Sequence, residues 1–423
     1  MASNLTDTYS PSFEIFEKEN FPSWNVLDIA CQDDLIYITP DYQFLGQGII
    51  KSFDLTLSND DSRRQFMESL KNFEFNPNTT NADLRQFIVK PDAISFLPLN
   101  YDISTPSIGY LPQRLIYLQN NGKGWQLTFG KDVTSFSQVI SESTDNRLRN
   151  PDGFELTSTV DHEVFKDNVA DIVNEIKNGS VAKVVLARRV EITANRPFCK
   201  ITSLKRLKVL YPTCTIFSMD GFIGASPELL LQKFDNQINL KPLAGTIASS
   251  GNQESDNFAI DELMASVKNR NEHSLVVEWL KEKLAALCTK LDASNVPDIL
   301  TLRNVIHLAT PMLGELKDAD DTLLDITAVI HPTPAVGGVP DNAFRSYQLK
   351  YELCNRERYA GPIGWINSSG DGEFYLGIRS AQILESSAII WAGVGIVENS
   401  NPEAELTETQ LKFQAMLSCL VRP

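Results

Sequence analysis

The stretch FYLGIRSAQILESSAIIWAGVGIV occupies residues 374–397, and it decides the fold class. Two apolar runs, 374–384 and 388–397, flank the short polar link Glu385-Ser386-Ser387. β-Branched and aromatic residues favour strands, and a link of this length joins two strands as an antiparallel hairpin. The sequence therefore predicts a hairpin, which suits an α+β fold better than a doubly wound parallel sheet.

Strands and helices alternate irregularly around this hairpin. Further strands are predicted at 35–38, 115–118, 125–129 and 183–192, with an Asn- and Gly-rich turn at 120–124. Apolar residues at helical spacing predict a helix that ends at Asn178-Gly179, and a second apolar stripe predicts a long helix over 275–287. Asn401 as N-cap followed by Pro402 predicts the start of the last helix.

The length of 423 residues allows two or three average domains or one large domain. Residues 1–150 are strand-rich, and a polar, loop-like boundary follows at 141–153. We interpret 1–150 as the N-terminal part of the same fold and 151–423 as its catalytic region.

The charge and composition exclude several classes of protein. A net charge of −16 and a pI near 4.8 argue against a surface for nucleic acid or anionic membrane, which needs concentrated basic residues. The sequence contains no signal-peptide pattern and no apolar run of the ~20 residues that span a membrane. Six scattered cysteines have no metal-binding spacing. A cytoplasmic protein is expected.

Three charged residues lie where packing alone would not place them. Lys183 begins an apolar strand, either as an edge residue or as a partly buried amine that can act as a base. Glu228 precedes another apolar strand, either exposed or as a general acid with a raised pKa. Glu272 lies on the apolar stripe of its helix, so its carboxylate needs a Lys, an Arg or a hard metal ion as partner.

The final helix carries Glu405, Glu408 and Lys412 at i, i+3 and i+7, which puts them on one face. Such a face is ordinarily solvated and held by surface ion pairs. Two other signals fail: Gly393-Val-Gly395 lacks the third glycine of a dinucleotide fingerprint, and no P-loop occurs.

Eight segments taken together resemble the chorismate-utilising enzymes, the family of isochorismate, salicylate and anthranilate synthases. They are KVVLAR at 183–188, ASPELL at 225–230, PLAGT at 242–246, KNRNEH at 268–273, HPTPAVGG at 331–338, RYAGPIG at 358–364, GVGIV at 393–397 and E-x-x-E-x-x-x-K at 405–412. The resemblance implies one chorismate-binding domain with two packed, mainly antiparallel sheets and helices on the outside. It also implies chorismate as substrate and Mg²⁺ as cofactor.

Within this family, Lys183 resembles the base that activates water, which the ammonia-using members lack. The resemblance therefore implies an isochorismate synthase that is a monomer, with chorismate as its small-molecule partner and without a glutamine amidotransferase subunit. The segment 331–340 is more similar to isochorismate than to salicylate synthases. YITPDY at 37–42 and FLPLNY at 96–101 look like the siderophore-pathway enzymes. A salicylate synthase and a menaquinone-pathway enzyme remain the alternatives.

The resemblance also implies residue roles. Lys183 would deprotonate water and Glu228 would protonate the departing hydroxyl group. Glu272 and Glu408 would hold Mg²⁺, with Glu405 supporting it through water. Arg379, expected roughly opposite Gly393 in the hairpin, would clamp the second carboxylate of the substrate. The remaining substrate-binding positions are Gly245, Thr246, His307, Ala335, Tyr359, Gly393, Gly395 and Lys412.

Overall fold

The computed structural model describes residues 11–17, 25–75, 84–130 and 151–421. Its helices within these ranges are α1 (Asp60–Lys71), α2 (His162–Lys177), α3 (Lys200–Leu210), α4 (Gln253–Ala265), α5 (Val267–Ala285), α6 (Leu323–Ile330), α7 (Phe344–Tyr351) and α8 (Pro402–Leu420), with a short 3-10 helix at Val26–Asp28. None of these helices is long and apolar enough to cross a membrane.

The strands of the described residues are β1 (Pro11–Glu17), β2 (Leu35–Ile38), β3 (Tyr42–Leu55), β4 (Ile94–Pro98), β5 (Ser107–Gln119), β6 (Lys123–Phe129), β7 (Phe154–Ser158), β8 (Lys183–Ala194), β9 (Thr215–Met219), β10 (Phe222–Ser226), β11 (Leu229–Phe234), β12 (Gln237–Leu240), β13 (Leu243–Ala248), β14 (Cys288–Ala293), β15 (Asp298–Thr301), β16 (Val305–Ala309), β17 (Met312–Leu316), β18 (Gly338–Val339), β19 (Pro362–Asn367), β20 (Gly372–Leu376), β21 (Ser380–Leu384) and β22 (Ser387–Ile396).

Every strand pairing in the described residues is antiparallel, and most of the pairings form two large sheets that share β5. One sheet runs β1-β6-β5-β3-β2-β9-β10-β21-β22-β8-β7, with β18 beside β7 on the same edge of β8, and the other runs β5-β4-β19-β20-β11-β12-β17-β14. A separate three-stranded sheet has the order β13-β16-β15. The predicted α+β fold with large antiparallel sheets is confirmed.

The main core lies between the two large sheets. Phe44 on β3 meets Trp365 on β19 with ring centroids 5.4 Å apart, and both side chains are fully buried. Aromatic pairs at this separation stabilise a core beyond the area that they bury. The core therefore joins N-terminal strands to C-terminal ones.

Helix α2 covers the outer face of the β8–β22 pair. Its apolar residues, including Phe165 and Val169, form one cluster with Val184 and Leu186 of β8 and Val394 of β22. Since side chains alternate along a strand, Lys183, Val185 and Ala187 must face the opposite side. This alternation directs the first residue of β8 into the protein interior.

Most of the predicted elements are confirmed, including the helix that ends at Asn178, the strand at 183–192 and the last helix with Asn401 as its N-cap. The prediction of one strand over 374–384 is wrong. The chain leaves β20 after Leu376 and enters β21 at Ser380, and Arg379 between them has a left-handed φ of 51°. The loop-like boundary is predicted at 141–153, and its residues 141–150 lie outside the described residues.

Candidate active site

One cavity collects most of the residues that the sequence singles out. It lies beside β22, β13 and α5, next to the turns that carry Glu228, Arg379 and Tyr359. The predicted site residues that line it are Glu228, Gly245, Thr246, Glu272, His307, Ala335, Tyr359, Arg379, Gly393, Gly395 and Lys412. Lys183 lies directly behind this lining, in contact with Glu272. The fold thus gathers side chains that are up to 184 positions apart in the sequence, from 228 to 412.

Lys183 is a buried amine, not an exposed edge residue. Its side chain is 0% exposed, and its Nζ lies 3.2 Å from Glu272 Oε1. Gly395, opposite Val185 on the neighbouring strand, makes this approach possible. A Cβ on Gly395 would overlap Glu272 Oε1 and would lie 2.9 Å from Lys183 Cε. The strand glycine therefore lets the Glu272 carboxylate approach Lys183, and an alanine there would displace that carboxylate.

Glu228 lies in the turn between β10 and β11 and is 4% exposed. Burial raises the pKa of its carboxyl group to about 7, although the Leu243 N–H donated to Oε1 at 3.2 Å and the charge of Lys183 both oppose that rise. A carboxyl group with this pKa is protonated about half of the time at neutral pH. Glu228 therefore has a proton to give, as a general acid requires.

The guanidinium group of Arg379 lies at the cavity and is held by a chain of hydrogen bonds. Its Nη2 lies 3.1 Å from His307 Nε2, and His307 Nδ1 lies 3.0 Å from Thr246 Oγ1. Burial holds the pKa of His307 well below its usual value, so the ring is neutral. Because a guanidinium group only donates, His307 Nε2 accepts and its Nδ1–H donates to Thr246. This chain fixes the guanidinium group in the cavity wall.

Since β21 pairs with β22 only from Ala381 onward, the expected pairing of Arg379 opposite Gly393 is wrong.

The acidic face of α8 points inward. Glu405 is 1% exposed, and its Oε1 lies 2.8 Å from Lys268 Nζ on α5. Glu408 lies 2.6 Å from Lys412, whose Nζ also donates to Gly393 O at 2.7 Å. The interpretation of this face as a solvated one therefore does not hold. Its carboxylates line an interior region between α5 and α8.

The chain matches the family of chorismate binding enzymes over residues 58–421, which includes every segment around the cavity. The chain is a chorismate-binding enzyme. The family expected from the eight sequence segments is thus confirmed.

Individual relatives and solved structures support the assignment of this chain to the chorismate-binding enzymes. Isochorismate synthase EntC of Escherichia coli is 30% identical over 392 residues, which cover 90% of this chain and 93% of EntC. A Bacillus anthracis protein assigned as a 2,3-dihydroxybenzoate-specific isochorismate synthase, DhbC, is 27% identical with a TM-score of 0.77, covering 93% of this chain and 98% of that one. MenF, the menaquinone-specific isochorismate synthase of E. coli, has a TM-score of 0.79 at 24% identity, covering 98% of this chain and 95% of that one. This last likeness shows the fold alone.

The predicted magnesium site would use the carboxylates between α5 and α8 of this chorismate-binding enzyme. Burial alone would lower the pKa of Lys268, but Glu405, Glu272 and Glu408 together raise it above its usual value. Three carboxylates thus act on one ammonium group, and oxygen donors of this kind are what Mg²⁺ prefers. Among the described residues no group of three or more His, Cys, Asp or Glu side chains is positioned to hold a metal ion. The magnesium site therefore stays a prediction, in which substrate and water complete the shell.

The cavity lining of this chorismate-binding enzyme also includes residues that the sequence did not single out, among them Trp391 and Arg356. Trp391 shares the inward face of β22 with Gly393 and Gly395, and the alternation along that strand could have revealed it. Arg356 also lines the cavity. It lies two residues before the RYAGPIG segment, and its sequence context shows no sign of burial.

Proposed function

We propose that this chorismate-binding enzyme is a magnesium-dependent isochorismate synthase, an isomerase that converts chorismate reversibly to isochorismate. The observation that carries the proposal is the pair of proton-transfer groups at one cavity. Lys183 is a fully buried amine, and Glu228 is a buried carboxyl group whose pKa is raised to about 7 by burial. A base and an acid at one cavity are what a hydroxyl transfer needs.

The reaction balances without an oxidant or a reductant. Lys183 takes a proton from water as its oxygen bonds to the ring carbon next to the one bearing the carboxylate. The ring double bonds shift, and the original C–O bond breaks as Glu228 protonates the departing hydroxyl group. One water enters and one water leaves, so the product is an isomer of the substrate and the reaction can run in both directions.

Two cations face the part of the cavity where the carboxylates of chorismate would bind. The Arg379 guanidinium group is planar and held by His307, which suits bidentate binding of a carboxylate. Lys412 is anchored by Gly393 O and Glu408, which leaves its ammonium group at the cavity wall. We infer that these groups bind the substrate and set its orientation.

Glu272 and Glu408 would hold Mg²⁺, with Glu405 supporting it through water. The ion would supply positive charge beside the ring carboxylate. The support for this assignment is that all three carboxylates act on Lys268, a cation already in that region.

Product analysis tests the function. Chorismate and Mg²⁺ are incubated with the enzyme, and the products are identified by chromatography and mass. We expect isochorismate, the same equilibrium mixture from either side and no pyruvate. Pyruvate formed in step with salicylate would establish the alternative, a salicylate synthase. An aminated product in the presence of ammonium would contradict the role of Lys183 as the base for water.

For the pathway, we propose that the product feeds 2,3-dihydroxybenzoate and catechol siderophores. The alignment with EntC extends over 90% of the chain and so includes the segment 96–101, which looks like siderophore-pathway enzymes. The transcript should rise under iron limitation. A transcript level that does not change with iron supply would favour the menaquinone pathway instead.

A further inference from the structure

The edge of β8 has a gap in its strand pairing beside the cavity. β18 pairs with residues 183 and 184, and β7 pairs with residues 190–194. Between them, side chains bond the strand's backbone. Val185 O accepts from Arg356 Nη2 at 2.9 Å, and the Ala187 N–H donates to Glu352 Oε1 at 2.9 Å. Because β8 begins with the predicted base, these two side chains help to fix where that base lies.

Glu352 and Arg356 form a buried, bidentate ion pair. Each residue is 4% exposed. Arg356 Nε donates to Glu352 Oε2 at 2.9 Å, Nη2 donates to Oε1, and Nη1 donates to Val336 O at 2.6 Å. A buried pair is tolerated only when its hydrogen-bonding groups are satisfied, and removing one partner leaves a buried charge. The pair therefore binds the loop at Val336, next to the cavity residue Ala335, to β8.

The same guanidinium group lies beside Tyr359, a predicted substrate contact. Its carbon is 4.5 Å from the ring centre of Tyr101 and 5.9 Å from that of Tyr359. Tyr359 stacks on Trp391 with centroids 5.8 Å apart and 9° between the ring planes. Its hydroxyl group faces Gly393, where a Cβ would lie 3.0 Å from Oη. The ring is thus held by the stack and the cation so that its hydroxyl group lies at the cavity wall.

The turn that carries these residues has an unfavourable backbone. Leu353, Glu357 and Ala360 have left-handed φ values of 58°, 51° and 62°. A left-handed backbone is unfavourable for such residues and persists only where the surroundings enforce it. The buried ion pair within the turn supplies that constraint.

We propose that Glu352 and Arg356 are positioning residues of the active site: together they set the Tyr359 hydroxyl group and the start of β8 relative to the substrate. The proposal rests on the function proposed above.

Arg356→Lys tests the proposal, because lysine keeps the positive charge but cannot form the paired hydrogen bonds of the planar guanidinium group. Arg63→Lys is the matched control. Arg63 is also a buried arginine that donates to a backbone carbonyl, Leu57 O at 2.6 Å, and to a carboxylate, Asp325 at 2.8 Å, but it does not line the cavity. We expect Arg356→Lys to lower kcat/KM about 100-fold, the effect of a displacement of about 1 Å at a reacting site. The control should keep its activity.

A double-mutant cycle separates positioning from general loss of stability. In a Tyr359→Phe background, Arg356→Lys should cost about tenfold rather than about 100-fold, because the hydroxyl group that Arg356 positions is already gone and only its effect through β8 remains. Fully additive losses, or an Arg356→Lys enzyme as active as the control, would overturn the proposal. If Arg356→Lys does not fold, Glu352→Gln decides instead, since its amide oxygen can still accept from Ala187. It should lower kcat/KM about tenfold, and unchanged kcat/KM would again overturn the proposal.

Binding measured without turnover distinguishes this proposal from the proposed function. In a Lys183→Ala background, calorimetric titration with chorismate and Mg²⁺ should show about tenfold weaker binding for Arg356→Lys and no change for Arg63→Lys. Equal affinities in the two variants would overturn the positioning role. If the wild-type enzyme makes a product other than isochorismate, the proposed function fails, whereas this binding comparison still decides the positioning role.

Discussion

Replacing Glu228 by Gln should stabilise the protein at alkaline pH while it removes the general acid. Burial raises the pKa of this carboxyl group from 4.5 to about 7 in the folded protein, whereas the unfolded chain keeps the ordinary value. The folded state therefore binds the proton more tightly. The resulting stabilisation is fully present below pH 4.5 and is lost as the pH rises through 7. Glutamine cannot ionise, so the variant does not lose it.

The size of the effect follows from the pKa shift. One pKa unit corresponds to about 1.4 kcal/mol, so the rise from 4.5 to about 7 corresponds to roughly 3 kcal/mol over the whole titration. Between pH 6 and pH 8 the unfolded chain stays ionised while the folded protein loses its proton. This interval contains about 1.3 kcal/mol of the total.

Equilibrium urea denaturation of wild type and Glu228→Gln at pH 6 and pH 8, followed by circular dichroism, measures this difference. The free energy of unfolding of the wild type should fall by about 1.3 kcal/mol more than that of the variant as the pH rises. Comparing the two pH-dependent changes cancels any pH-independent cost of the substitution and the titration of other groups. An identical pH dependence in both proteins would refute the buried, proton-holding state of Glu228. The variant should also lose roughly 10²–10⁴-fold in turnover, as expected for a missing general acid.

Three further predictions concern the base and the metal. Lys183→Ala should lower turnover roughly 10²–10⁴-fold in a protein that is still folded by circular dichroism, and near-normal turnover would exclude it as the base. Gly395→Ala should reduce kcat/KM at least about 100-fold because its Cβ overlaps Glu272 Oε1, whereas Gly153→Ala, whose Cβ meets atoms no closer than 3.3 Å, should keep the rate in the same assay. EDTA should remove activity reversibly without changing the circular dichroism spectrum. Glu408→Gln should raise the Mg²⁺ concentration needed for half-maximal rate. Full activity in metal-free buffer would contradict the predicted magnesium site.

Local sequence signals predicted the elements that depend on local physics. The last helix begins where Asn401 caps it, because that side chain accepts from the backbone N–H groups of Glu403 and Ala404. The strand at 183–192 and its neighbour at 388–397 follow from their apolar residues. The prediction of one strand over 374–384 is wrong because the composition of that run favours a strand throughout. Arg379 nevertheless adopts a left-handed φ, and the constraints on that turn come from distant segments such as Ala225, whose N–H donates to Arg379 O at 3.1 Å.

The sequence by itself determined the family, the main secondary-structure elements and the identity of most cavity residues, because motifs and side-chain periodicity are properties of short segments. Only the tertiary structure decided what those residues experience. It pairs Lys183 with Glu272, buries Glu228 until its pKa reaches about 7, and seals the edge of β8 with Glu352 and Arg356. Desolvation and ion pairing depend on which distant groups exclude water from a side chain, and no local pattern contains that information.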